Sequence, residues 1–186
     1  MQHVLDCCQT RRLRDGALLG RGGEKTAVAA TLAGIPAVRL APRPPRTNLA
    51  AEASALMRVR GMPNLLQLLG LEMESGKTLA LLVERAPHGS MLDLADELEF
   101  QGESHLLTRE HVESVVEQVS NALTEMKSLK MEHGDVRAAN VLVFGFVGGA
   151  DGSIEIKLGD FGCARPLKEG DCMNRLCREL CDLIDG

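Results

Sequence analysis

The chain has 186 residues, 45% apolar and 25% charged, with a net charge of −5. That composition suits an ordinary globular domain able to bury a core. Basic and acidic residues are interspersed, which excludes the basic stripe of a nucleic-acid binder; Arg11, Arg12 and Arg14 read as a solvated terminal face.

With four Phe and no Trp or Tyr, the core falls to Leu, Val, Ala and Met. The six cysteines (Cys7, Cys8, Cys163, Cys172, Cys177, Cys181) form no CxxC pair and no His/Cys metal spacing, so they read as reduced thiols. No apolar run approaches a bilayer-spanning length and no leader-like segment opens the chain, so the expectation is a soluble, cytoplasmic protein.

Residues 16–40 alternate short apolar runs with glycines, which predicts a β-meander. A Pro/Arg-rich break at 42–46 excludes helix. Asn48 offers an N-cap for an Ala-rich helix over 49–60, ended by Gly61, Pro63 and Asn64. Strand-like runs over 65–71 and 78–83 follow, joined by a Ser75-Gly76 turn.

From Ser90 the period becomes helical. The clearest helix opens at Thr108, with Val112, Val115, Val116, Val119, Ala122, Leu123, Met126 and Leu129 on one stripe. Strands are predicted over 141–146 and 154–158, around a glycine-rich loop, and a last helix over 171–184. Strands first and helices second, with a small late hairpin, argue for an α+β chain in two lobes.

Four elements carry chemistry. The first is GRGGEKTAV, residues 20–28, whose glycines Gly20, Gly22 and Gly23 let backbone amides approach phosphate oxygens. Alone, such a loop is more often a plain turn. The second is HGDVRAANVLV, residues 133–143: Asp135 is placed to accept a hydroxyl proton, and Asn140, five positions on, to ligate Mg2+. The third is KLGDFGCAR, residues 157–165, where Asp160 ends a strand before Phe-Gly. The fourth is Glu52, on a helix able to aim a carboxylate at a cation on the sheet; a lone helical Glu is commonly just solvated.

Together these motifs, over residues 18–165, resemble a eukaryotic-type protein kinase domain. HGDVRAANVLV is similar to the catalytic loop of Src-type tyrosine kinases and tyrosine-kinase-like enzymes. LALLVERAPHGSM resembles the strand and hinge that hold adenine, with Val83 as gatekeeper and the backbone of Glu84 to Ala86 on the base. GMPNLLQLLG resembles the segment after the regulatory helix.

The resemblance implies a two-lobe fold: an extension at 1–15, a β-rich N-lobe at 16–86 and an incomplete helical C-lobe at 87–186. It also implies ATP and Mg2+ as cofactors, and a protein substrate or partner. No APE-like motif follows Asp160-Phe161-Gly162, so the match reads as truncated. Asp171 either opens a helix that anchors the catalytic loop or belongs to a generic amphipathic tail, whose Cys172, Cys177 and Cys181 are packing residues.

Two departures stand out. Arg39 occupies the position expected for the ATP-binding lysine, in IPAVRL, and it is no faithful replacement. Lys25 replaces the third glycine, as in the GRGSFKT loop of the with-no-lysine kinases. Two readings stay open for Lys25: it reaches the ATP phosphates while Arg39 sits beside Glu52 as a structural cation, or it faces solvent. Gly134 stands where many kinases carry Arg, and residues 162–171 hold no Ser, Thr or Tyr, so activation by loop phosphorylation is not expected. The alternative to an active kinase is a pseudokinase acting as a nucleotide-binding or scaffolding module.

Overall fold

The computed structural model describes residues 4–5, 13–21, 24–43, 49–75, 77–167 and 173–185. The chain divides into two compact units, Met1–Arg60 with Leu66–Arg85, and Gly61–Leu65 with Ala86–Gly186.

The first unit is built on a six-stranded sheet. Its strands are β1 (Val4–Leu5), β2 (Leu13–Arg21), β3 (Lys25–Leu32), β4 (Ile35–Pro42), β5 (Leu68–Glu74) and β6 (Lys77–Glu84), in the order β1-β5-β6-β4-β3-β2. Only the two-residue β1 runs parallel, against β5. The predicted meander is thus three strands that begin at Leu13, within the segment read as an extension. Ala33 (φ 52°) and Gly34 (φ 90°) form the two-residue turn between β3 and β4, where both central residues need positive φ.

Helix α1 (Leu49–Arg58) packs on β5 and β6 through Leu49, Ala53 and Leu56. Its predicted cap, Asn48, lies outside the described residues. The strand predicted over 65–71 starts three residues late, at Leu68: Leu65 instead bridges to Leu158 in the second unit's own structure.

The second unit contains α2 (Met91–Gln101), α3 (Arg109–Ser128), β7 (Met131–Glu132), β8 (Val141–Val147), β9 (Ser153–Leu158), β10 (Arg165–Pro166) and α4 (Met173–Asp185). Ser90 and Asp93 close a capping box on α2: Asp93 N–H donates to Ser90 Oγ (3.2 Å), and Ser90 N–H to Asp93 Oδ2 (2.7 Å). At the start of α3, His111 Nδ1 accepts the Thr108 N–H (3.1 Å). Its Nε2–H donates to Val147 O at 2.9 Å, tying the helix to the end of β8.

The α3 stripe is buried at Val112, Val115, Val119, Ala122, Leu123 and Met126, and half-buried at Val116 and Leu129. β9, β7 and α4 pack on it, and each fully buried aliphatic side chain contributes about 2 kcal/mol. Gln118 adds a polar tie on the same face. Its Oε1 accepts the Ile156 N–H and the Asn64 amide (both 3.0 Å), and its Nε2 donates to Ile154 O at 2.8 Å.

Candidate active site

In the first unit, Lys25 opens β3 and its Nζ donates to both oxygens of Glu52, at 2.8 and 2.9 Å. Lys25 is 14% exposed and Glu52 only 4%, so this is a nearly desolvated pair. Arg39 is elsewhere. Its Nε and Nη2 reach Glu72 Oε2 on β5 at 2.8 and 2.7 Å.

Strand register explains the separation. Across the regular β3–β4 ladder, Lys25 faces Pro42, Ala27 faces Leu40 and Ala29 faces Val38, whereas Arg39 faces Val28. Side chains alternate between faces, so Lys25, Ala27, Val38 and Leu40 share one face and Arg39 lies on the other. The expectation that Arg39 sits beside Glu52 is therefore corrected: Lys25 takes that place, and the β4 residue next to Arg39 on the Lys25 face, towards Lys25, is Leu40.

Val83 shares the Lys25 face, opposite Val38, and is 2% exposed. Glu84 ends β6 with its N–H donated to Gln67 O (3.1 Å), while its Oε1 accepts the Gln67 N–H (2.8 Å). Ala86 begins the second unit, and its carbonyl accepts Gly89 N–H at 3.5 Å. Gly20 pairs with Ala27, and a Cβ there would meet nothing within 4 Å. Gly22 and Gly23 lie outside the described residues.

In the second unit, the segment from His133 to Asn140 is held from several sides. His133 is fully buried, donates Nε2–H to Gly159 O (2.9 Å) and meets the Phe161 ring edge-on at 5.2 Å between centroids. Burial pushes its pKa below the ordinary imidazole value, against the Gly159 hydrogen bond and the charges of Asp160 and Asp135. Its Nδ1 is buried with no hydrogen-bond partner.

Asn140 closes a 3-10 turn (Ala138–Asn140), and its Nδ2 donates to Asp135 O (2.8 Å) and Asp135 Oδ2 (3.0 Å). That use of the amide nitrogen fixes the Asn140 rotamer and leaves Oδ1 as the atom for a cation. Asn140 O accepts Gly159 N–H at 2.8 Å, so Asp160 follows directly from a residue tied to this turn. Asp160 is solvent-exposed in the left-handed region (φ 58°, ψ 76°), its Oδ1 accepting Gly162 N–H at 3.3 Å. An Asp tolerates this conformation where a β-branched residue would not.

Gly134 is a steric necessity here. Its φ is +84°, and a Cβ would fall 2.5 Å from Cys163 O. Past the Asp-Phe-Gly turn, β10 pairs with β7, Arg165 opposite Glu132 and joined to it by an ion pair.

Two residues that sequence reasoning passed over belong to this region. Arg137 Nε is buried without a hydrogen-bond partner. Glu179 Oε2, from α4, accepts the Ala138 N–H at 2.7 Å. Asp171, to which one of the two readings gave such a part, lies outside the described residues, as does Cys172. The expectation that Cys177 and Cys181 pack inside holds poorly: Cys177 is half-buried and Cys181 exposed.

Comparison with known proteins adds to this geometry. The protein kinase domain model matches residues 37–180, most of the chain. The chain belongs to the protein kinase family. It is 34% identical to serine/threonine-protein kinase DCLK2 of Mus musculus over 113 residues, which is 61% of this chain and 14% of that protein. The Homo sapiens and Ailuropoda melanoleuca proteins of the same name are each 33% identical over 113 residues, 13% of their length. The matched region thus spans a small fraction of these relatives. The α+β fold, with its strand-rich first part and helices after it, is that of a kinase domain, a family that uses ATP and Mg2+ in general. Among the described residues no helix is long and apolar enough to cross a membrane.

Proposed function

We propose that the chain is an ATP-dependent protein kinase that transfers the γ-phosphoryl group to a protein hydroxyl, with Lys25 as the cation on the phosphates. The observation that carries this reading is the Lys25–Glu52 pair, in which a buried carboxylate holds an ammonium on the inner face of the sheet. Asp135 orients the acceptor hydroxyl and takes its proton. Asn140 and Asp160 would hold Mg2+ through hard oxygen donors. Gly20, Gly22 and Gly23 cover the phosphates, and the backbone of residues 84–86 holds the adenine with Val83 behind it.

The donor set fits the ion. Mg2+ is bound by one or two protein oxygens plus phosphate and water rather than by an all-protein cage. When bound, Mg-ATP supplies the phosphoryl group; this chain's part is positioning and charge stabilisation. The names of its relatives favour a Ser or Thr acceptor over Tyr, despite the tyrosine-kinase-like Ala138-Ala139-Asn140. A cytoplasmic setting agrees with the free thiols.

A second reading is favoured by Leu40, an apolar side chain on the inner face of β4: a pseudokinase that binds partners without transferring phosphate. Labelled phosphotransfer to a general protein acceptor, beside Asp135→Asn, separates the two. An active kinase loses about 100-fold or more in the variant, since a positioned base contributes about 100- to 10,000-fold, while a Mg-ATP thermal shift persists. Absence of transfer in the unmodified chain establishes the pseudokinase. If Lys25→Ala alters neither ATP affinity nor transfer, the role given to Lys25 is wrong.

A further inference from the structure

We infer that Glu179 is a positioning residue for the catalytic loop: its carboxylate holds the turn that carries Asn140 and, through Asn140, the carboxylate of Asp135. This rests on the kinase reading above.

The Ala138 amide opens the three-residue 3-10 turn, and the first amides of any helical turn have no partner inside it. Ala138 is fully buried, so solvent is no substitute. Glu179 Oε2 takes this amide at 2.7 Å, the short distance of a charge-assisted hydrogen bond.

At the far end of the same turn, Asn140 N–H donates to Arg137 O (2.9 Å), and its side chain grips Asp135 at two oxygens. One acid on α4 is therefore linked through a single turn to the proposed base. Glu179 is itself held in place: Leu176 and Leu180, on either side of it, are fully buried, and α4 packs on α3 and on the turn. Because those leucines anchor α4 independently, loss of the carboxylate loosens the turn without detaching the helix.

The test compares the full chain with Glu179→Ala and Glu179→Gln, the latter keeping an acceptor oxygen. Amide hydrogen exchange at Ala138, the NMR position of the Asn140 side-chain amide, the melting temperature, and kcat and KM for ATP are measured together. Glu179→Ala speeds Ala138 exchange about tenfold, moves the Asn140 amide signal, and lowers kcat about tenfold, with KM within about twofold. Glu179→Gln restores most of each. An unchanged Ala138 exchange rate or Asn140 signal in Glu179→Ala overturns the inference. So does a kcat loss that merely tracks a lower melting temperature and is not rescued by Gln. Should the unmodified chain transfer no phosphate, the kinase reading fails, while the exchange and Asn140 signals still decide whether Glu179 sets the turn.

Discussion

Lys25 and Arg39 occupy opposite faces of one sheet, each held by its own carboxylate: Lys25 by Glu52 at 2.8 Å, Arg39 by Glu72 at 2.7 Å. Sequence alignment to a kinase motif pairs the wrong residue with Glu52, because a one-residue slip along a strand reverses the face of every side chain. Leu40, next to Arg39, lies on the inner face together with Val38. A lysine transplanted to Leu40 therefore reaches that face, and one at Arg39 does not. In a Lys25→Met background, Leu40→Lys recovers Mg-ATP binding and Arg39→Lys does not, as read by thermal shift. Recovery through Arg39→Lys would contradict the register.

The two ion pairs also differ in energy. Removing Lys25 takes the ammonium from a carboxylate that is 4% exposed, and breaking a buried pair costs about 3 kcal/mol or more. Arg39→Met breaks a pair whose partners are 23% and 21% exposed, and costs about 1 kcal/mol or less. Urea unfolding of Lys25→Met and Arg39→Met measures both. Adding Glu52→Gln to Lys25→Met recovers part of the larger loss.

His133 makes stability depend on pH. Burial holds its folded-state pKa below the ordinary value of about 6.5 that the unfolded chain keeps. Between those two values the unfolded state binds more protons, so stability rises with pH, is complete above the unfolded value and falls as the solution is acidified through that window. The urea midpoint should drop from pH 7.5 to pH 5.5. His133→Phe retains a ring beside Phe161 and removes this proton, so its midpoint changes less over the same interval. Identical pH dependence in both proteins would show that the destabilising proton binds elsewhere.

Gly134 tolerates no side chain. Both its φ of +84° and the 2.5 Å approach of Cys163 O oppose a Cβ. Gly134→Ala is expected to cost about 1–3 kcal/mol in backbone strain, with more from the collision unless the Phe161–Cys163 turn shifts. Restoring the Arg common in the family is worse still. A denaturation midpoint for Gly134→Ala equal to that of the unmodified chain would mean that the turn moves freely.

Gln118 joins α3 to β9 and to Asn64. Gln118→Met keeps length and apolar packing but leaves the Ile156 N–H and Ile154 carbonyl without this partner, a loss of about 2 kcal/mol. Unfolding of Gln118→Met, Asn64→Ala and the double variant gives the coupling. Strict additivity would show that the Gln118–Asn64 contact at 3.0 Å contributes nothing.

Local pattern was enough for most elements. The 3.6-residue stripe of α3, the Ser90 start of α2 and the late hairpin are encoded by neighbours within a few positions, where propensity and periodicity act. The contact between Asp135 and Asn140 was legible as well, because both lie five positions apart within one short contiguous motif. The segment 1–15 was not: Val4–Leu5 joins the sheet only by pairing with β5, more than sixty residues later in the chain.

What only the tertiary structure decided are contacts between residues far apart in the chain. Which cation meets Glu52 depends on strand register; which acid reaches the Ala138–Asn140 turn depends on how α4 docks, giving Glu179 a place that no local signal marked. Side-chain periodicity states which residues share a face, never which faces meet. That choice is made by burying Leu176, Leu180 and the α3 stripe together, an energy spread over residues far apart in the chain.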